Sequence, residues 1–124
     1  MKILIADDST IARKFLIKSL PKDINLEYKE AKDGKECVDI YVDYRPDLVF
    51  LDLTMPVMDG VEALKKLIEI DKKAVIYVLT ADIQKNTYDK IMSLGAAKFI
   101  KKPPTKETIG NAVKELQTFI SKQD

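Results

Sequence analysis

Short apolar runs alternate with helix-like patterns along the whole chain. Runs of about four to six residues that are bounded by polar or turn residues are typical of strands. Three of these runs are continuously apolar, as in strands that are buried on both faces, and two are interleaved with charged residues, as in strands at a sheet edge. The continuous runs are 3–6, 48–51 and 75–79, and the interleaved runs are 26–31 and 97–100.

The segments that follow these runs carry apolar residues at the spacing of an amphipathic helix. Ser9, Asp33 and Asp59 stand where a helix N-cap is expected, and Pro21 and Gly95 stand where a helix should end. The predicted buried stripes are Ile11, Ala12, Phe15, Leu16 and Leu20 in the first helix, Cys37, Ile40, Tyr41 and Tyr44 in the second, Leu64, Leu67 and Ile68 in the third, Tyr88, Ile91 and Met92 in the fourth, and Ile109, Ala112, Val113, Leu116 and Ile120 in the fifth, after Thr105.

Five strand–helix units in strict alternation predict an α/β fold, in which a parallel sheet is covered by helices on both faces. The two interleaved runs are assigned to the sheet edges, so the predicted strand order is 2-1-3-4-5. This is the flavodoxin-like, doubly wound (βα)5 arrangement. Ligands of such sheets bind beyond the carboxyl ends of the strands, and functional residues are therefore expected there.

The composition limits the possible functions. The chain has 124 residues, and we expect residues 1–124 to form a single domain with no separate output domain. A net charge of +1 creates no strong field, so we expect neither nucleic acid nor a membrane as a partner. Cys37 is the single cysteine and histidine is absent, which excludes an intramolecular disulfide and a Cys/His zinc site. The start MKILIADD does not resemble a signal peptide, and we expect a cytoplasmic protein.

Ionisable and hydroxyl residues follow successive runs at the predicted binding edge. Asp7 and Asp8 follow the first run, Asp52 follows the third, Thr80 follows the fourth, and Lys102 comes shortly after the fifth. The first and third strands are neighbours in the predicted order. Three carboxylates should therefore converge in one small space.

Converging carboxylates repel one another unless a cation neutralises them. Lys102 could place an ammonium group against Asp52, and a divalent cation could bridge the carboxylates. Oxygen ligands without sulfur or imidazole suit Mg²⁺, with Mn²⁺ as a second choice, rather than zinc or copper. Each aspartate alone also has an ordinary explanation as a helix cap, such as Asp8 for the first helix and Asp59 for the third. The joint pattern favours a site.

With these residues in place, the sequence resembles the receiver domains of two-component signalling over essentially the whole chain. The resemblance rests on IADDS around Asp7 and Asp8, VFLDLTMPVMDG around Asp52, VLTA around Thr80 and KFIKKPP around Lys102. Each motif alone is weak, and together they are specific. The segment DDSTIAR resembles chemotaxis receivers in particular.

The resemblance implies that Asp52 is the phosphoacceptor and that a sensor histidine kinase donates the phosphoryl group from a phosphohistidine. It also implies a Mg²⁺ ion held by Asp7, Asp8, Asp52 and the backbone carbonyl of Thr54. Phosphoryl transfer needs a positioned nucleophile and positive charge around the transferring oxygens, and these residues would supply both.

The resemblance further implies a switch. Thr80 should hydrogen-bond the phosphoryl group, Lys102 should neutralise it, and the bond between Lys102 and Pro103 should be cis. Phe99 should turn inward on phosphorylation and change a surface formed by the fourth helix, fifth strand and fifth helix, where a target protein binds. Four lysines give that surface a basic character: Lys85, Lys90, Lys101 and Lys106.

Several positions depart from commoner choices in the family. Thr54 and Asp82 occupy the positions that tune the water attacking the acyl phosphate, and Thr54 has no side-chain amide, so the phosphoryl lifetime of a relative cannot be carried over. Phe99 lacks the hydroxyl of the tyrosine that is typical of motility-type receivers, which disfavours direct assignment to the flagellar switch.

The leading hypothesis is a signalling switch in chemotaxis that catalyses only its own phosphorylation and dephosphorylation. An alternative is a phosphorelay intermediate, which passes the phosphoryl group from Asp52 to a histidine phosphotransferase. A magnesium-dependent phosphatase would need a second acid two residues after its nucleophile, and Thr54 stands there. Flavin binding is disfavoured because Asp7 and Asp8 would repel a phosphate.

Overall fold

The computed structural model describes residues 1–123, in which strands and helices alternate. The elements are β1 (Lys2–Ala6), α1 (Thr10–Ser19), β2 (Glu27–Ala31), α2 (Gly34–Tyr44), β3 (Leu48–Asp52), α3 (Gly60–Ile70), β4 (Ile76–Thr80), α4 (Lys85–Ser93), β5 (Lys98–Lys101) and α5 (Lys106–Gln123). The strands pair in parallel in the order β2-β1-β3-β4-β5, which confirms the predicted flavodoxin-like topology. Within residues 1–123, no helix has both the length and the apolar character needed to cross a membrane.

Two hydrophobic cores lie on the two faces of the sheet. On one face, the strands pack against α2, α3 and α4, and on the other face they pack against α1 and α5. Every residue of β3 and β4 is buried, as their continuous apolar runs predicted. In the edge strand β2 only Ala31 is buried, and Tyr28 is exposed.

Side-chain caps begin three of the helices where the sequence predicted them. The Ser9 hydroxyl accepts a hydrogen bond from the N–H of Ala12, and the carboxylates of Asp33 and Asp59 accept from residues three positions further on. Such caps stabilise a helix by about 1 kcal/mol each. The suggestion that Asp8 caps α1 is therefore wrong, which leaves its carboxylate available for another role. Gly95 adopts a φ of 110° just after α4, as expected of a helix stop.

Some sequence predictions need correction. Asp52 and Thr80 do not follow their strands but are the last residues of β3 and β4, since the hydrogen-bonded ladder continues through them. In α1, Leu16 is buried as predicted, but Ile11 is 81% exposed and Phe15 is 40% exposed. The predicted apolar stripe of α1 includes more residues than pack against the sheet. Ile11 and Phe15, which do not become buried, line a groove beside the carboxyl edge of the sheet.

Candidate functional site

Three carboxylates converge at the carboxyl edge of the sheet. Asp7 directly follows β1, Asp52 ends β3, and the pairing of these two neighbouring strands sets the two residues side by side. Asp7 is 2% exposed and Asp52 is 5% exposed, whereas Asp8 is open to solvent. One carboxylate oxygen from each of the three lies within 4.8 Å of the others. The predicted convergence of the acidic residues is confirmed.

Lys102 neutralises part of this negative charge. Its Nζ lies 2.9 Å from Oδ2 of Asp7 and 2.9 Å from Oδ1 of Asp52. Its backbone N–H donates to the carbonyl of Thr80, so the lysine is fixed to the sheet just beyond β5. The bond between Lys102 and Pro103 is cis, the isomer that the resemblance implied. One ammonium group therefore bridges two acids from two different strands.

The electrostatic balance at Asp52 is nevertheless unfavourable for its charged form. Burial raises the pKa of Asp52, and the charge of Asp7 raises it further. Lys102, through its hydrogen bond and its charge, and the backbone N–H of Thr54 lower this pKa, but they do not cancel the rise. Burial acts to lower the pKa of Lys102, but its hydrogen bonds to Asp52 and Asp7 and the charges of both outweigh burial and raise it. The lysine therefore remains a cation, but its single positive charge does not balance the three carboxylates.

The donor set fits a hard divalent cation. Three carboxylates with one lysine leave an excess of negative charge, and Mg²⁺ is bound through one or two carboxylates together with water and phosphoryl oxygens. Thr54 lies next to this site, since its backbone N–H is close enough to the Asp52 carboxylate to act against the rise of its pKa. The role of its backbone carbonyl as a further ligand stays a prediction.

Close backbone contacts fix the loop between β3 and α3. Gly60 donates its N–H to the carbonyl of Leu53 at 2.8 Å, and a Cβ atom at Gly60 would overlap the carbonyl oxygen of Asp52. Only glycine allows the first turn of α3 to approach the end of β3 so closely. In the same loop, Val57 has a φ of 67°, a conformation that is rare for a β-branched residue, and its side chain is 79% exposed.

Thr80 ends β4 at the same edge and is buried. Its hydroxyl oxygen accepts a hydrogen bond from the N–H of Asp82 at 3.1 Å. The Asp82 carboxylate in turn accepts from the Gln84 N–H and from the Thr87 hydroxyl, and these bonds, that of Thr87 first, lower the pKa of Asp82. Thr80, assigned to the switch, and Asp82, assigned to tuning the hydrolytic water, are thus connected through Thr87 to the first turn of α4.

Phe99 lies away from the carboxylates. It is half-buried in β5, packs against the core under α4, and meets the ring of Tyr88 edge to face at a centroid distance of 5.6 Å. Tyr88 is exposed, although its position in the apolar stripe of α4 predicted burial. The inward movement of Phe99 that the resemblance implies stays a prediction.

Arg13 is a residue of this region to which the sequence assigned no role. Its Nη1 donates to the backbone carbonyl of Asp7 at 2.7 Å, and its Nε lies 3.0 Å from Oε1 of Glu30. The only sequence signal was its place within DDSTIAR, six residues after Asp7. A long side chain in the second turn of a helix was not distinguishable there from an ordinary surface arginine.

Comparison with known proteins gives the family. The family model described as the response regulator receiver domain matches residues 3–114. The chain belongs to this family. The receiver domain is 34% identical over 117 residues to the chemotaxis protein CheY of Halobacterium salinarum, covering 94% of this chain and 97% of that protein. It is 39% identical over 104 residues to the chemotaxis protein CheY of Listeria monocytogenes, covering 83% of this chain and 87% of that protein.

A solved structure shows the same architecture. The receiver domain superposes with a TM-score of 0.80 and 31% identity on a chain of the CheX–CheY–BeF3–Mg complex from Borrelia burgdorferi, covering 100% of this chain and 90% of that chain. The identified family places the protein in two-component signalling, with chemotaxis proteins among its relatives. The cluster of Asp7, Asp8 and Asp52 stands where a receiver domain binds Mg²⁺.

Proposed function

We propose that this receiver domain accepts a phosphoryl group on Asp52 from a phosphohistidine of a sensor histidine kinase, in a reaction that requires Mg²⁺. The observation that carries the proposal is the buried Asp52 carboxylate, held 2.9 Å from the Lys102 ammonium with two further carboxylates beside it. A chain without histidine has no phosphohistidine of its own, so the donor is a separate group. We include a cytoplasmic location in the proposal because kinases of this kind draw on ATP.

In this proposal each side chain has one task. The Asp52 oxygen attacks the phosphorus while the bond from phosphorus to the imidazole nitrogen of the donor breaks, so that the imidazole leaves. Lys102 stabilises the negative charge on the transferred oxygens, and the Thr80 hydroxyl hydrogen-bonds one of them. Asp7, Asp8, Asp52 and the Thr54 carbonyl would hold Mg²⁺, which supplies positive charge that favours ionised Asp52 and the phosphoryl oxygens. The product is an acyl phosphate that water can hydrolyse, and in this proposal the protein catalyses only its own phosphorylation and dephosphorylation.

The surface beside the site supports approach of a protein donor. A groove of about 530 Å³ runs from Asp7 and Lys102 along α1, and its walls are mostly apolar. The exposed side chains of Ile11 and Phe15 line it. A donor that covers this groove would exclude water from the reaction and place its imidazole at the open side of the carboxylates.

The output that we propose is phosphorylation-dependent binding of a target protein in chemotaxis. Its docking surface would be formed by α4, β5 and α5, where the Tyr88 and Phe99 rings are in contact. The connection from Thr80 through Asp82 to Thr87 supports this choice, because a Thr80 hydroxyl that turns to a phosphoryl group would give up its bond from Asp82. The chemotaxis relatives support the setting.

The first test measures phosphorylation. Acetyl phosphate is added with and without Mg²⁺ to the wild-type protein and to Asp52→Asn, and the covalent product is followed by intact mass. We expect one phosphoryl group on the wild type only, and only with Mg²⁺. Modification of Asp52→Asn, or wild-type modification without any divalent ion, would contradict the proposal.

A second measurement separates the switch from the phosphorelay alternative. Beryllofluoride is added with Mg²⁺, and binding to candidate chemotaxis targets is compared with phosphoryl transfer to histidine phosphotransferase domains. Tight, beryllofluoride-dependent binding to a target without a phosphorylatable histidine supports the switch. Rapid loss of the phosphoryl group to a histidine phosphotransferase, without such binding, supports the relay.

A further inference from the structure

Arg13 is held at three points although it lies near the exposed start of α1. Its guanidinium donates from Nη1 to the Asp7 carbonyl at 2.7 Å, from Nε to Glu30 at 3.0 Å, and from Nη2 to the Thr10 hydroxyl at 3.3 Å. Only 14% of the side chain is exposed. An arginine fixed in this way is a rigid element of the structure and differs from a mobile surface charge.

The contact with Asp7 completes the fixation of one backbone segment. The N–H of Asp7 donates to the carbonyl of Ala31 in β2 at 3.0 Å, and its carbonyl accepts from Arg13. Both backbone polar groups of Asp7 are therefore bound. Because the peptide plane between Asp7 and Asp8 includes that carbonyl, its orientation also decides where the Asp8 side chain points.

Asp8 depends on this backbone more than Asp7 does. The Asp7 carboxylate is held by the Ser9 N–H at 2.9 Å and by the Lys102 ammonium. In the described part of the chain, no hydrogen bond or ion pair holds the exposed Asp8 carboxylate. Its oxygen nevertheless lies within 4.8 Å of the ligand atoms of Asp7 and Asp52, so its placement depends on the backbone of this segment.

We infer that Arg13 is a positioning residue for the divalent-cation site. Its guanidinium holds the Asp7 carbonyl so that Asp8 presents its carboxylate beside those of Asp7 and Asp52. Glu30 fixes the plane of the guanidinium from the neighbouring strand and neutralises its charge, so that the arginine orients the ligands without adding repulsion toward a cation. The inference rests on the proposed function, because it assigns Arg13 to the Mg²⁺ site.

Lysine cannot replace arginine in this arrangement. A guanidinium donates in several directions from one plane, whereas an ammonium group is a single point on a flexible stem. Groups that orient metal ligands from outside the coordination sphere commonly change metal affinity by about 10-fold or more when they are removed. We therefore expect Arg13→Lys to weaken Mg²⁺ binding by about 10-fold. For Glu30→Gln, which loosens a partly exposed pair, we expect about 3-fold.

The experiment measures Mg²⁺ binding to the unphosphorylated full chain by the shifts of backbone amide NMR signals. Wild type is compared with Arg13→Lys, Glu30→Gln and the matched control Arg45→Lys. Arg45 is the other arginine. It lies at the end of α2 and is paired with Asp71 at the end of α3, so its substitution should leave Mg²⁺ affinity unchanged. Urea unfolding without Mg²⁺ shows that each variant is folded.

A second measurement distinguishes positioning from general loss of structure. The rate of phosphorylation by acetyl phosphate is recorded against Mg²⁺ concentration. In Arg13→Lys the half-saturating Mg²⁺ concentration should rise by the same factor as the dissociation constant, and the rate at saturating Mg²⁺ should stay within about twofold of wild type. If Arg13→Lys does not fold, Glu30→Gln carries the same comparison at its smaller expected factor.

The outcomes separate the two proposals. A wild-type protein that binds no Mg²⁺ defeats the proposed function itself. A wild-type protein that binds Mg²⁺ no more tightly than folded Arg13→Lys defeats only the positioning role. An unchanged Mg²⁺ affinity with a reduced maximal rate also defeats it, because Arg13 would then act on the transfer step.

Discussion

Replacing Asp52 by asparagine should make the protein more stable in the absence of Mg²⁺, although it removes one side of an ion pair. The Asp52 charge is attracted by Lys102 at 2.9 Å and repelled by Asp7 and Asp8 at separations of up to 4.8 Å. With an effective dielectric constant of about 20, the attraction is about 6 kcal/mol and each repulsion is at least about 3.5 kcal/mol. These contributions nearly cancel.

What remains is the cost of burying the carboxylate. Removing a charged group from water costs several kcal/mol, and Asp52 is almost inaccessible to solvent. Asparagine keeps the shape and a hydrogen-bond acceptor for Lys102, which also keeps its bond to Asp7. We expect Asp52→Asn to raise the free energy of unfolding by about 2 kcal/mol at pH 7, equivalent to a melting temperature about 5 to 10 °C higher.

The gain should depend on pH in a defined direction. The pKa of Asp52 is raised in the folded state above its ordinary value of 3.8, so the folded state binds this proton more readily than the unfolded state. The penalty in the wild type is full above the raised pKa and vanishes below the ordinary value. The stability advantage of Asp52→Asn should therefore be greatest near pH 7 and should shrink as the pH falls through that window.

The assay is urea unfolding in EDTA between pH 3.5 and pH 8, repeated with Mg²⁺. Mg²⁺ should stabilise the wild type more than the variant and so reduce the difference. Asp82→Asn is the control, because hydrogen bonds lower the pKa of Asp82 and its removal should not stabilise the protein. A variant no more stable than wild type at pH 7 in EDTA would refute the reasoning, as would a difference that grows on acidification.

Three further predictions concern other features of the chain. Val57→Asn should raise the free energy of unfolding by about 1 kcal/mol in urea, because asparagine tolerates positive φ and the valine is exposed. Gly60→Ala should lower it by at least about 2 kcal/mol, since the new methyl group would overlap the Asp52 carbonyl. Gly110→Ala, where the nearest atom is 3.9 Å away, should cause no loss in the same assay. Cys37 is buried with a pKa raised to about 12, so a thiol reagent at pH 8 should label it only at the rate of unfolding, and fast native labelling would contradict this.

Local sequence patterns were sufficient to predict the topology and the convergence of the three carboxylates with Lys102. The order of the strands followed from which runs were continuous and which were interleaved, and the helix starts followed from Ser9, Asp33 and Asp59. Asp7 and Asp52 could be placed together because parallel neighbours end at the same edge. Each of these inferences needs only residue type, spacing and one general rule of sheet architecture.

The features that could not be predicted depend on contacts between distant parts of the chain. Arg13 in α1 is fixed by Glu30 in β2 and by the backbone carbonyl of Asp7, and the sequence around Arg13 does not indicate either contact. The exposure of Ile11 and Tyr88 likewise depends on how far neighbouring elements extend, whereas a hydrophobic pattern reports only which side of a helix is apolar. Predicted strand ends were one residue short where polar side chains continued the ladder.

The burial of β3 has a consequence for how a change at Asp52 is transmitted. The strand is hydrogen-bonded on both sides, its first four residues have no access to solvent, and Asp52 at its end is 5% exposed. Its backbone therefore has no room to shift when chemistry occurs at its last residue. A conformational change must therefore occur in the loops around that residue, while the central sheet keeps its structure.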